Sequence, residues 1–130
     1  MKRILPIFLA ALLLVGCAAP AEEITYRQVN MDEAITMIEE ESGYIILDVR
    51  TPEEFAEKHI PGAINVANET IGTDEIPELP NKDQLILVYC RSGNRSKQAS
   101  EKLVALGYTN IVEFGGINDW PGKTVSGTGL

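Results

Sequence analysis

Two patterns of apolar positions follow one another along the chain. Apolar runs, nearly continuous in YIILDV at 44–49 and unbroken in LILV at 85–88, are typical of strands covered on both faces of a parallel sheet. Apolar residues at helical spacing in 31–38 and 97–106 indicate helices with one buried face. Strands are predicted at 24–28, 44–49, within 59–66, at 85–88 and at 111–114. This alternation predicts an α/β domain around a mostly parallel sheet.

Capping residues mark where the predicted helices begin. Asn30 followed by Glu33 has the spacing of a capping box, and Thr51, just before a proline, is a suitable N-cap. The third helix is predicted to start at about Ser96. The stretch 68–83 contains two prolines and five acids, and we expect it to be a loop with one helical turn at most.

The stretch LVYCRSGNRS, at 87–96, places a thiol between a buried strand and a helix. The first amides of a helix have no partner inside it, so a loop curled around Cys90 would aim several of them at the sulfur. Gly93 lets the backbone bend there, and Arg91 and Arg95 add positive charge. These features favour a thiolate and an anionic group bound to it. The alternative is an inert, buried cysteine at a strand end.

The chain of 130 residues fits a single domain, and its formal charge of −8 argues against nucleic acid as a partner. Loss of residues 1–16 would remove Lys2 and Arg3 and leave a charge of −10. Cys90 would then be the one cysteine besides Cys17. Exported proteins usually pair their cysteines, so an unpaired one calls for an explanation.

The first residues have the pattern of an export signal. Lys2 and Arg3 precede an apolar segment at 4–15 that is too short to span a membrane. The sequence LVGC ending at Cys17 resembles the lipobox of bacterial lipoproteins. The resemblance implies a signal peptide at 1–16, a lipidated Cys17 with a tether at 17–25, and an extracytoplasmic protein, such as a periplasmic one, anchored to a membrane. An ordinary signal peptide cut at Ala18 or Ala19 is the alternative.

Three motifs carry a second resemblance. The segments LDVRTPEEFAEKHIPGAINV, LVYCRSGNRS and GGINDW occur in this order within 27–122, and together they resemble a single-domain rhodanese, a thiosulfate-type sulfurtransferase. The resemblance implies a domain at 26–123 with a sheet of about five strands and helices on both faces. The segment 124–130 is predicted to be a flexible tail.

The resemblance also implies the chemistry of the loop. Cys90 would be the nucleophile and would carry sulfur as a persulfide between a donor, such as thiosulfate, and a thiol or cyanide acceptor. No metal or organic cofactor would be needed. The substrate-binding residues are predicted to be Arg91, Ser92, Gly93, Asn94 and Arg95.

Several polar residues are predicted to support the site. Asp48 is expected to bind local backbone or an arginine, and Arg50 to pair with Glu53 or Glu54. Arg95 can turn inward to brace the loop on Asp48. His59, the single histidine, is expected to shape the HIPGA turn and not to act as a base.

Two other functions remain open. Cysteine phosphatases and arsenate reductases of the same fold use a C-x5-R loop, whereas four residues separate Cys90 from Arg95 here. This smaller ring suits a sulfur atom better than a tetrahedral oxyanion. The second alternative is a membrane-anchored carrier or sensor that binds sulfide or persulfide without useful turnover.

Overall fold

The computed structural model describes residues 25–128, which form one five-stranded sheet with helices on both sides. The strands are β1 Arg27–Gln28, β2 Ile45–Asp48, β3 Ile64–Asn65, β4 Ile86–Cys90 and β5 Ile111–Gly116. They lie in the order β1-β5-β4-β2-β3, and every pair is parallel. The predicted α/β fold with about five strands is confirmed. β4 lies at the centre, so the cysteine at its end has a strand on either side.

Three α-helices connect the strands: α1 Met31–Glu40, α2 Pro52–Glu57 and α3 Asn94–Ala105. Short 3₁₀ turns occupy Asn68–Thr70 and Ile117–Asp119. The predicted caps are present. The Asn30 side chain accepts from the Glu33 amide over 2.8 Å, and Thr51 and Glu54 form the same reciprocal pair at α2. Each cap satisfies amides that the first turn leaves free.

Successive side chains of the central strands point to opposite faces, and each face has its own core. On one face Val88 packs with Ala99 and Leu103 of α3. On the other, Leu87 packs with Ala34 of α1 and Phe55 of α2. The apolar run of β4 is therefore buried on both sides, as its sequence predicts.

Two boundaries differ from the predictions. α3 begins at Asn94, two residues before the predicted start at Ser96, because Gly93 takes the N-cap position with φ of 121°. Part of the predicted C-terminal tail also makes backbone contacts with the domain. Val125 exchanges backbone hydrogen bonds with His59, and the Gly127 amide donates to Ala56. This part of the segment 124–130 is therefore tied to the domain, whereas the sequence predicted a flexible tail.

The predicted signal peptide, Cys17 and nearly all of the predicted tether lie outside the described residues. Within residues 25–128, no helix is long and apolar enough to cross a bilayer.

Candidate active site

Cys90 is the last residue of β4, and the turn that leads into α3 begins directly after it. Its residue is 1% exposed, and the Gly93 amide donates to its Sγ atom over 3.0 Å. The turn closes this tightly because Gly93 adopts a positive φ, which L-residues rarely adopt. The predicted position of the thiol, at a strand end facing the start of a helix, is confirmed.

The end of β5 forms the second wall of the loop. Cys90 pairs with Gly116 after an irregularity in the β4–β5 ladder, and the Asn118 amide donates to the Arg91 carbonyl over 3.2 Å. The two backbones are so close at Gly116 that a Cβ atom there would lie 2.0 Å from the Arg91 carbonyl oxygen. The cysteine loop thus rests directly on the backbone of β5.

Ser96 lies beside the sulfur and Glu113 lies beside Ser96. The sequence analysis assigned a site role to neither residue. The Ser96 Oγ atom is 3.4 Å from Cys90 Sγ and donates to the Glu113 carboxylate. Glu113 is 2% exposed and also accepts from the Gly115 amide and the Gln28 side chain. One feature of the sequence could have revealed Glu113. It is an acid within the apolar run IVEFG, where side chains are expected to be buried, and a buried acid needs partners.

The two arginines of the loop have different surroundings. Arg91 is exposed, and within the described residues its side chain makes no hydrogen bond or ion pair. Arg95 donates to both carboxylate oxygens of Glu54, over 2.7 and 3.1 Å. The Arg95 hydrogen bond, with the Thr51 cap, lowers the pKa of Glu54 to about 2. Arg95 braces the loop as predicted, but on Glu54 and not on Asp48.

Of the other predicted substrate-binding residues, only Gly93 contacts the sulfur in the described part of the chain. Ser92 and Asn94, on either side of Gly93, are exposed to solvent. The Gly93 amide is the one loop amide with a hydrogen bond to Sγ in the described part of the chain, whereas the sequence predicted several.

Asp48 and Arg50 form a buried pair at the end of β2, with an N–O distance of 2.6 Å. Arg50 also donates to the Lys58 carbonyl, so the predicted pairing with Glu53 or Glu54 is wrong. Asp48 binds the Arg50 amide and guanidinium, as expected. It also accepts from the Tyr89 hydroxyl over 2.7 Å, and burial raises the pKa of Tyr89. This network holds the residue directly before the cysteine.

His59 lies in the α2–β3 turn and not against the sulfur. Its ring stacks on Phe55 with centroids 3.7 Å apart, and its Nδ1 atom lies 2.8 Å from the Phe55 carbonyl oxygen. These contacts agree with the predicted role in shaping the turn. Among residues 25–128, no cluster of His, Cys, Asp and Glu side chains is suited to hold a metal ion.

Comparison with known proteins agrees with this architecture. Residues 30–123 match the rhodanese-like domain family. The chain is 37% identical to the Escherichia coli thiosulfate sulfurtransferase PspE over 73 residues, which are 56% of this chain and 70% of PspE. It is 29% identical to GlpE, a thiosulfate sulfurtransferase of Pseudomonas entomophila, over 78% of this chain and 94% of GlpE. The Candida albicans adenylyltransferase and sulfurtransferase UBA4 is 35% identical over 65% of this chain, but the match spans only 21% of UBA4.

Solved structures give the same result. A rhodanese with anions from E. coli is 34% identical and superposes with a TM-score of 0.59, over 65% of this chain and 99% of that one. A Bacillus halodurans protein is 28% identical, with a TM-score of 0.68 over 79% of each chain. Since the family match covers well over half of the sequence and the fold agrees, the chain belongs to the rhodanese family of sulfurtransferases.

Proposed function

We propose that the protein moves a sulfane sulfur atom from thiosulfate, or a related donor, to a thiol or cyanide through a persulfide on Cys90. The observation that carries this proposal is the Cys90 sulfur at the end of β4, with the Gly93 amide donating to it over 3.0 Å. An amide fixed at a helix start stabilises negative charge on the sulfur. A thiolate and a persulfide carry the same negative charge, so the same amide can stabilise both forms of Cys90.

The chemistry is a covalent two-step transfer. The Cys90 thiolate attacks the outer sulfur of thiosulfate, the sulfur–sulfur bond of thiosulfate breaks, and sulfite leaves with the bonding electrons. The acceptor then attacks the terminal sulfur of Cys90–S–S⁻, and the Cys90 thiolate leaves. Charge balances in each step, and the sulfane sulfur keeps its oxidation level, so neither step needs an external oxidant or reductant.

Arg91 is the residue we assign to recognition of the donor. Thiosulfate is a dianion, and a mature chain of charge −10 would repel it at a distance. Arg95 is already engaged by Glu54, whereas the exposed side chain of Arg91, next to the nucleophile, has no such partner in the described structure. A free guanidinium offers two hydrogen bonds to a sulfonate.

The loop argues against phosphate or arsenate chemistry. A C-x5-R loop would have its arginine at position 96, and this chain has Ser96 there. Arg95, one residue earlier, is turned away to Glu54.

We further propose that the protein acts outside the cytoplasm, attached to a membrane by a lipid on Cys17. This proposal rests on the sequence alone, on Lys2 and Arg3, the apolar segment and the LVGC motif. A diacylated cysteine anchors a protein stably, where a single chain does not.

Mass spectrometry of the purified protein after treatment with thiosulfate tests the proposed function. A gain of one sulfur, about 32 Da, is expected on the peptide that contains Cys90, and it should disappear after cyanide is added. An unchanged mass would rule out the persulfide. A persulfide that forms but is not removed by cyanide or thiols would favour the alternative function, a carrier or sensor without useful turnover.

A further inference from the structure

The sulfur of Cys90 is connected to a buried carboxylate through one hydroxyl group. Cys90 Sγ lies 3.4 Å from Ser96 Oγ, and Ser96 Oγ lies 2.5 Å from Glu113 Oε2. The three residues come from β4, α3 and β5, and each is at most 2% exposed. Water therefore has little access to this row of atoms.

The number of protons and the lengths of the contacts together indicate the direction of the hydrogen bonds. Ser96 has one hydroxyl proton, and an ionised Glu113 can only accept. Three acceptors lie within reach of that proton: Glu113 Oε2 at 2.5 Å, the Gly93 carbonyl at 3.0 Å and the Gly115 carbonyl at 3.4 Å. The hydroxyl donates to Glu113, which is the nearest acceptor and the charged one, and offers a lone pair to the S–H group of Cys90. The resting arrangement is a thiol that donates to a hydroxyl, which donates to a carboxylate.

The charges oppose a thiolate in this arrangement. Within the described residues, Glu113 has no ion-pair partner, and its carboxylate accepts only from neutral donors, which are Ser96, the Gly115 amide and Gln28. A second negative charge on Cys90, one hydroxyl away, would be repelled in a poorly solvated place. Two negative charges at these positions therefore oppose each other across one hydroxyl group.

We propose that Ser96 and Glu113 form a proton relay that converts Cys90 into a thiolate without releasing a proton to water. The S–H bond breaks as the proton passes to Ser96 Oγ, and the Ser96 hydroxyl proton passes to Glu113 Oε2. The products are a Cys90 thiolate, an intact Ser96 hydroxyl that now donates to the sulfur, and a neutral Glu113 carboxyl. No heavy atom moves, and the group keeps one negative charge throughout.

This inference rests on the proposed function, in which Cys90 reacts as an anion. Because thiolate and persulfide carry the same charge, Glu113 keeps its proton through both half-reactions. Glu113 touches neither substrate nor sulfur and acts only through Ser96. It returns the proton when the enzyme relaxes to the thiol.

Other charged or titratable side chains lie around the relay, and a test of the relay must leave them unchanged. They are Tyr26 before β1, Arg91 in the loop, Arg95 of α3 with its partner Glu54 of α2, and the Asp48–Arg50 pair of β2. Burial, followed by Glu101 and Glu113, raises the pKa of Tyr26. None of them touches Ser96 Oγ, so variants of Ser96 and Glu113 leave them in place.

The first experiment needs no sulfur donor. The rate of alkylation of Cys90 by iodoacetamide is measured from about pH 6 to about pH 8 in the parent, Glu113→Gln, Ser96→Ala and the control Glu39→Gln, which removes an exposed acid of α1. The relay makes the thiolate fraction independent of pH, so the parent and the control should vary less than about twofold. In both relay variants the rate should rise about tenfold per pH unit until the thiol is ionised.

Circular dichroism establishes whether each variant is folded. The two relay variants remove different residues, so the test can still be made with one of them if the other fails to fold. The relay is overturned if the profile of either folded relay variant coincides with that of Glu39→Gln. A parent rate that itself rises about tenfold per pH unit would also overturn it.

The second experiment counts protons while thiosulfate loads sulfur onto Cys90 in weakly buffered solution containing a pH indicator. The sulfite that leaves takes up protons near neutral pH in every variant, so this uptake is subtracted from each count. After that subtraction the parent should release about zero protons per sulfur, and Glu113→Gln about one, because the variant has no internal acceptor. One proton released by the parent, or none by Glu113→Gln, would contradict the relay. If no sulfur is loaded, the persulfide proposal fails, and the alkylation profiles still decide on the relay.

Discussion

Arg95 of the cysteine loop is bound by both carboxylate oxygens of Glu54, over 2.7 and 3.1 Å. The same Glu54 oxygen that receives the shorter bond also accepts from the Thr51 amide at the start of α2. One carboxylate therefore caps a helix and ties that helix to the loop around the nucleophile. Arg95, in the first turn of α3, therefore contributes more to the shape of the site than to its free positive charge.

The first prediction concerns this pair and pH. Because Arg95 lowers the pKa of Glu54 to about 2 in the folded protein, the pair stabilises the fold above the ordinary glutamate pKa, and the contribution is lost as pH falls toward 2. Arg95→Ala should lower the free energy of unfolding by about 1 kcal/mol at neutral pH, as expected for a partly exposed pair. Urea unfolding should show that the difference in unfolding free energy between Arg95→Ala and the parent becomes smaller below about pH 4.

Arg27→Ala, which removes an exposed arginine from β1, is the control and should show no such trend. Arg95→Ala should also reduce transfer from thiosulfate and from a neutral organic persulfide by the same factor. A difference in unfolding free energy that persists undiminished at low pH would show that Glu54 and Arg95 do not pair in solution.

The sequence predicts best those features that depend on neighbouring residues. The buried run of β4 and the caps at Asn30 and Thr51 are local patterns, and the structure has them where the sequence places them. The position of Cys90 at a strand end follows from the same reasoning. Gly93 shifted the start of α3 by two residues because a glycine can take the N-cap position without a side-chain cap.

The partners of the charged residues could not be read from the sequence. Glu54 and Arg95 are 41 residues apart, and Ser96 and Glu113 are 17 apart, so each contact depends on how strands and helices pack. The sequence analysis expected Arg50 to pair with Glu53 or Glu54. It failed because Glu54 is already used by its cap and by Arg95, while Asp48 lies buried beside Arg50.

The second prediction concerns the nucleophile. Cys90→Ser should abolish sulfur transfer from thiosulfate to cyanide, because a hydroxyl at this position cannot carry the sulfur. The substitution is nearly isosteric, so circular dichroism and the urea midpoint should stay close to those of the parent. Activity within about tenfold of the parent would rule out Cys90 as the covalent carrier.

The third prediction concerns the lipid. Cys17→Ser removes the sulfur that would be acylated, so the protein should move from the membrane fraction to the soluble extracytoplasmic fraction. Fractionation with immunodetection measures this, and Cys90→Ser serves as the control that keeps Cys17. If the Cys17→Ser protein stays as tightly membrane-bound as the parent, the lipid anchor is refuted.

The fourth prediction separates donor recognition from sulfur chemistry. Arg91→Ala should lower kcat/KM for thiosulfate by about 10- to 150-fold, mainly through KM, because a charge-assisted hydrogen bond is worth roughly 1.5–3 kcal/mol. Transfer from a neutral organic persulfide should change little. Arg27→Ala removes the same charge from β1 and should leave both donors unaffected. Equal losses for both donors in Arg91→Ala would mean that this side chain supports the loop instead.

The fifth prediction concerns the contact between the loop and β5. A Cβ atom on Gly116 would lie 2.0 Å from the Arg91 carbonyl oxygen, and both groups are backbone that cannot rotate away. Gly116→Ala must therefore push the loop off β5, at a cost of about 1–3 kcal/mol in the free energy of unfolding. Gly72→Ala is the matched control, since nothing lies within 4 Å of its new Cβ and its φ is not positive. Urea unfolding and turnover measured together test the contact: Gly116→Ala should lose stability and activity toward every donor. If it matches Gly72→Ala in both measurements, the loop does not rest on β5 as described.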